Sequence, residues 1–119
     1  MKELPKIYII GNKQEYKSIT IKNRINFIEK KLIKKGFNVS NPLEVYKKNK
    51  KISNTAATLS NIKKLIECKA VYVMPEVSLI KGENLELKIS LDLNLTIITG
   101  FYLNTDYLAP IHTIIDELD

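Results

Sequence analysis

Apolar residues in this chain alternate between short unbroken runs and longer stretches in which they recur every three or four positions. KIYIIG, Lys6 to Gly11, is a run closed by glycine, the pattern of a central parallel strand buried on both faces. From about Ser18 to Lys35, Ile21, Ile25, Ile28 and Leu32 recur on one side of a helix whose other positions are polar, and Gly36 ends it. Phe37 to Ser40 predicts a second strand, stopped by Asn41-Pro42. Leu43 to Asn54 is the least regular part of the chain. Thr55 to Lys69 predicts a second helix, with Leu59, Ile62, Leu65 and Ile66 inward and Asn54 or Thr55 as N-cap. Ala70 to Met74 predicts a third strand, followed by a loop from Pro75 and an apolar-rich helix opened by Gly82 and ending near Asn94. Leu95 to Thr99 predicts the fourth strand, closed by Gly100. Phe101 to Thr105 reads as an edge strand or a loop. Asp106 to Leu118 predicts a last helix, with Leu108, Ile111, Ile114, Ile115 and Leu118 inward and Pro110 near its first turn.

Strands that alternate with helices imply an α/β fold with a doubly wound parallel sheet and right-handed crossovers. Such a fold gathers Gly11-Asn12, Asn41-Pro42, the 75–82 loop and Gly100-Phe101 at one edge of the sheet. Ligands of open α/β sheets collect there, outside the carboxyl ends of the strands, where helix N-termini also present free N–H groups. Glu86, one turn inside its helix, is expected near the mouth of that crevice. A carboxylate so placed has the chemistry of a nucleophile, a base or a ligand clamp.

The totals narrow the partners. A chain of 119 residues, 45% apolar and 27% charged, is expected to form one domain spanning residues 1–119. Its N-terminal apolar run is too short for a signal peptide and no stretch approaches a transmembrane span, so the expected setting is the cytoplasm, with no membrane partner. Cys68 is the only cysteine, which rules out an internal disulfide and favours a small buried hydrophobe. The net charge of +6 raises the question of nucleic acid, but Arg24 is the only arginine, and readers of phosphates and base edges rely on its planar fork. Nucleic acid is therefore not the expected partner. Lys47, Lys48, Lys50 and Lys51 form a cluster with two readings, a solvated connection or a basic loop that attracts phosphate.

Other chemistry is thinly represented. With His112 as the only histidine, neither a Ser-His-Asp triad nor a histidine metal cluster can be assembled within one chain. The glycine patterns of dinucleotide and P-loop sites are missing, so no cofactor and no metal is expected. Glu76 and Ser78 read first as loop polarity, Glu83 as either a substitute polar contact beside Glu86 or a solvent-exposed side chain, Tyr72 as a core or crevice wall, and Tyr102 and Asp106 as outer candidates for the pocket.

The ordered set KIYIIG, then NP after the second strand, then IKKLIECKAVYVMP, a loop, G-x-x-x-E and an apolar helix resembles the small nucleoside 2-deoxyribosyltransferase-like proteins from about Lys6 to Thr99. The resemblance implies a flavodoxin-like three-layer sandwich and an enzyme that cleaves the N-glycosidic bond of a nucleoside or nucleotide. In such an enzyme the glutamate matching Glu86 attacks the anomeric carbon, and the glycosyl group passes to another base or to water. It also implies a homo-oligomer whose neighbours help to finish the pocket. Tyr8, Gly11, Asn12, Asn41 and Gly82 are the accompanying substrate-binding candidates, the glycines by letting backbone approach the ligand. The chain departs from the family's pattern at Asn12 for proline, Asn61 and Lys69 for aspartates, Val77 for tryptophan and Ile80 for serine. These losses keep a second expectation open, a non-catalytic binder of nucleotides or nucleotide-like signals. A third, a purely electrostatic nucleic-acid binder, would depend on the lysine cluster.

Overall fold

The computed structural model describes residues 3–80 and 82–99. Within them the chain runs β1 (Lys6–Ile10), α1 (Ile19–Lys34), β2 (Asn38–Ser40), α2 (Glu44–Lys48), α3 (Asn54–Leu65), β3 (Ala70–Val73), α4 (Leu85–Asp92) and β4 (Thr96–Thr99). The four strands form one parallel sheet in the order β2-β1-β3-β4. This is the expected α/β fold, a doubly wound parallel sheet of flavodoxin-like type. Gly100, the Phe101 to Thr105 stretch expected as an edge strand or a loop, and the expected last helix, with Tyr102, Asp106 and His112, lie outside the described residues.

The unbroken apolar runs become the two central strands because only there are both faces covered. Ile7, Ile9 and Ile10 have no exposed surface, and burying each contributes about 1.5–3 kcal/mol. The registers Tyr8↔Val71 and Ile9↔Tyr72 put Tyr8 and Val71 on one face and Ile9 and Tyr72 on the other. β1 passes through α1 to β2 on one side, and the chain then returns through α3 to β3 on the other. Right-handed crossovers therefore put α1 on one face and α3 on the opposite face. α4 packs against α3, and the direction of the strand order reverses at β1. That reversal is the switch point at which crevices open in this architecture.

Local signals set the helix ends. Ser18 caps α1 by accepting the Ile21 N–H, and Ile21, Ile25, Ile28 and Leu32 form its buried stripe as expected. α3 is capped by Ser53 rather than by the expected Asn54 or Thr55. Its buried stripe is Ala57, Asn61 and Leu65, while Leu59 and Ile66 are more than half exposed, contrary to the hydrophobic pattern. The stripe is rotated because Asn61 turns inward, where its Nδ2 donates to the Pro42 carbonyl at 3.2 Å. The irregular stretch after Pro42 contains one short helix, α2. The Glu86 helix begins at Leu85 rather than at Gly82, with Asn84 as cap accepting the Leu87 N–H at 3.0 Å. Glu86 thus belongs to the first turn itself. Among the described residues, no helix is long and apolar enough to cross a membrane.

Candidate active site

The switch point brings the ends of β1 and β3 side by side, and a side-chain bridge joins their loops: Asn12 Nδ2 donates to the Glu76 carbonyl at 3.2 Å and to Glu15 Oε1 at 3.0 Å. Under this edge lies Glu86. It is 1% exposed, held in place by the first turn of α4, whose next turn is tied to it by Ser90 Oγ donating to the Glu86 carbonyl. Tyr8 projects from β1 toward the same face, and its hydroxyl donates to Glu86 Oε2 at 2.6 Å. The other carboxyl oxygen, Oε1, is buried without a hydrogen-bond partner.

Burial raises the Glu86 carboxyl above its ordinary value, and the Tyr8 hydrogen bond and the positive charge of Lys13 oppose that rise. The same burial, with the Glu86 charge added to it, drives the Tyr8 phenol well upward, so Tyr8 is a fixed donor rather than an acid that gives up its proton. Tyr16 behaves alike: it is buried, raised by desolvation and by Glu86, and its oxygen accepts the Gly11 N–H at 3.2 Å. On the opposite face, burial pushes the Tyr72 hydroxyl up to about 12, beside an Arg24–Glu76 ion pair of 2.9 Å. Glu76, read from the sequence as loop polarity, is thereby engaged with α1.

The expected site residues separate into two groups. Tyr8 and Glu86 meet directly, and Gly11 and Asn12 lie at the end of the strand that carries Tyr8. Gly11 is packed closely from inside the protein: a Cβ there would stand 3.0 Å from Met74 Sδ and from the Tyr16 ring. Gly82 has open space around it and is required by its backbone, φ +88°. Asn41 is 2% exposed and its amide is committed inside the protein. Its Oδ1 accepts the Leu43 N–H, and its Nδ2 donates to Asn26 and Glu29, tying the β2 loop to α1. Cys68 is buried, its thiol pushed up by desolvation.

Next to the carboxylate is a cavity of about 370 Å³, walled by the turn after β1, by α1, by α2 and by the start of α3. Tyr16 and Tyr46 line it, and both also feel the Glu86 charge; Glu86 itself is not part of the lining. Lys13 stands between the two environments, on the cavity wall and donating to Thr58 Oγ1 at 2.8 Å while its charge acts on Glu86. Another hollow, of about 400 Å³, lies at the opposite end of β1 among Leu4, Ile33, Phe37 and Val39, away from the buried carboxylate. The tyrosines 16 and 46 and Lys13 were not expected at the site, for each stands in a polar stretch without periodic neighbours. Among the described residues no cluster of His, Cys, Asp and Glu could hold a metal ion. No family model and no curated protein matches the chain.

Proposed function

We propose that the protein cleaves the N-glycosidic bond of a nucleoside or nucleotide, with Glu86 as the nucleophile. The observation that carries this reading is the buried pair in which Tyr8 holds Oε2 of Glu86 and leaves Oε1 with no partner. A carboxylate anchored through one oxygen has the other ready to bond to carbon. In the first step Oε1 bonds to the anomeric carbon as the C–N bond breaks, and the base leaves with the bonding electrons and takes up a proton. In the second, water or another base displaces the Glu86 ester, as in retaining glycosidases. Low dielectric around the pair strengthens its interaction with the oxocarbenium-like sugar. Tyr16 and Tyr46 border the neighbouring cavity and sense the carboxylate charge, which makes that cavity the approach for a sugar in this reading.

The near-complete burial of Glu86 favours a second reading, a binder of nucleotides that does not turn them over, with Glu86 holding α4 to β1. One experiment separates the two. The protein is incubated with deoxynucleosides and their 5′-monophosphates, and free base is measured. Base release that disappears in Glu86→Gln supports the enzyme; tight binding without release from any compound supports the binder.

A further inference from the structure

The cavity beside Glu86 is charged in one sense only. Its lining includes Lys13, Lys17, Lys22, Lys47 and Lys50 and no carboxylate. They come from separate parts of the chain: the turn after β1, α1, α2 and the segment before α3. Lys47 has Glu44 at 3.7 Å, and Lys13 is tied to Thr58. Lys17, Lys22 and Lys50 form no ion pair with any described carboxylate. Like charges gathered around a hollow repel one another, and the repulsion is relieved only by solvent, salt or an anionic occupant. One phosphate monoester carries about −1.5 to −2 charges at neutral pH. Three unpaired ammonium groups, with Lys13 and Lys47 beside them, exceed what one such group neutralises.

We propose that this cavity holds the polyphosphate chain of a nucleotide bearing at least two phosphates, with the sugar directed past Lys13 and Tyr16 toward Glu86. Placement of the sugar rests on the glycosidic reading above, whereas occupancy of the cavity does not. The lysines grip the chain as point charges, without the bidentate geometry of arginine, and this suits a flexible polyanion. The half-buried Tyr46 offers an apolar wall beside them.

The test is equilibrium binding by calorimetry on the 119-residue chain carrying Glu86→Gln, which reads binding without turnover, at near-physiological ionic strength. The probes are a purine and a pyrimidine deoxynucleoside, their 5′-monophosphates and 5′-triphosphates, and inorganic tripolyphosphate. The expected result is at least ten-fold tighter binding of a triphosphate than of its monophosphate, with tripolyphosphate weaker than the nucleotide. Adding Lys17→Gln, Lys22→Gln and Lys50→Gln together lowers triphosphate affinity ten-fold or more, with the circular dichroism spectrum unchanged. Removing the same charge elsewhere, by Lys30→Gln, Lys34→Gln and Lys63→Gln, leaves affinity unaltered. Equal affinity for monophosphates and triphosphates overturns the proposal, as does an equal loss in both triple variants. Tripolyphosphate binding as tightly as the nucleotide overturns the nucleotide as occupant. Failure of base release alongside the full phosphate gradient would count against the Glu86 chemistry alone.

Discussion

The hydroxyl of Tyr8 and the carboxyl of Glu86, 78 positions apart in sequence, meet at 2.6 Å in the buried interior of the protein. The hydrogen bond joins the central strand β1 to the first turn of α4, so one contact both fixes the carboxyl and fastens a helix to the sheet. Bonds from a hydroxyl to a carboxylate are short and about twice as strong as neutral ones. Replacing Tyr8 by Phe leaves both oxygens of a buried carboxyl unpartnered. The expected cost is about 1.5–3 kcal/mol at mildly alkaline pH, seen as a lower urea midpoint with an unchanged slope. The cost shrinks in acid, where Glu86 is neutral. An unchanged midpoint at both pH values would mean that the contact contributes nothing to stability.

The titration of Glu86 makes stability depend on pH in a definite direction. Desolvation raises its folded-state value, so between the ordinary carboxylate value and the raised one the folded protein keeps a proton that the unfolded chain has released. The favourable contribution is complete below the unfolded value and is lost as pH rises through the folded one. Wild-type stability, measured against Glu86→Gln by urea unfolding over a pH series, is therefore expected to fall across that window and level off above it. In the catalytic reading base release has the opposite trend, rising with pH as the nucleophile ionises, with a midpoint above that of an ordinary glutamate. Parallel stability curves for the two proteins would rule out the titration.

Gly11 is held small by its neighbours. A methyl group there presses on Met74 Sδ and on the Tyr16 ring, the ring whose oxygen takes the Gly11 N–H. Gly11→Ala is expected to destabilise by about 1–3 kcal/mol, the range for overpacking a filled site, and to displace Tyr16 at the cavity wall. Thermal unfolding measures the first effect. A change in nucleotide affinity larger than in a variant of equal stability altered at the far end of β1 measures the second. A fully stable Gly11→Ala protein would show that the ring moves aside freely.

Where period and burial coincide, the sequence was a good guide. The runs in β1 and β3 and the Ile21-Ile25-Ile28-Leu32 stripe of α1 are the buried surfaces they imply, because their apolar side chains fill those faces and the buried hydroxyl of Tyr8 finds a partner in Glu86. α3 breaks the rule at Asn61, whose amide finds a carbonyl in the loop after β2 and turns Leu59 and Ile66 outward. Hydrophobicity alone carries no trace of that partner. At the candidate site, Glu86 could be singled out from its strand-loop-helix setting, and Tyr8 from the resemblance, yet the bond between them depends on which face of β1 α4 covers. Asn41 illustrates the converse: a polar residue at the right edge whose donors and acceptor are consumed in holding the loop. The lysines around the cavity were visible in part, as the 47–51 cluster, but Lys13, Lys17 and Lys22 join Lys47 and Lys50 only when the chain folds.

Bond formation between Oε1 of Glu86 and a sugar carbon, as proposed, is tested by mass spectrometry of the protein after reaction with 2′-fluoro-arabinosyl nucleosides and nucleotides. Fluorine slows the second displacement by destabilising its oxocarbenium-like transition state, so the ester accumulates. The expected result is a protein heavier by one fluorosugar, with the added mass on the peptide containing Glu86 and missing in Glu86→Gln. Unmodified protein throughout the series, or an adduct carried equally by Glu86→Gln, would contradict it.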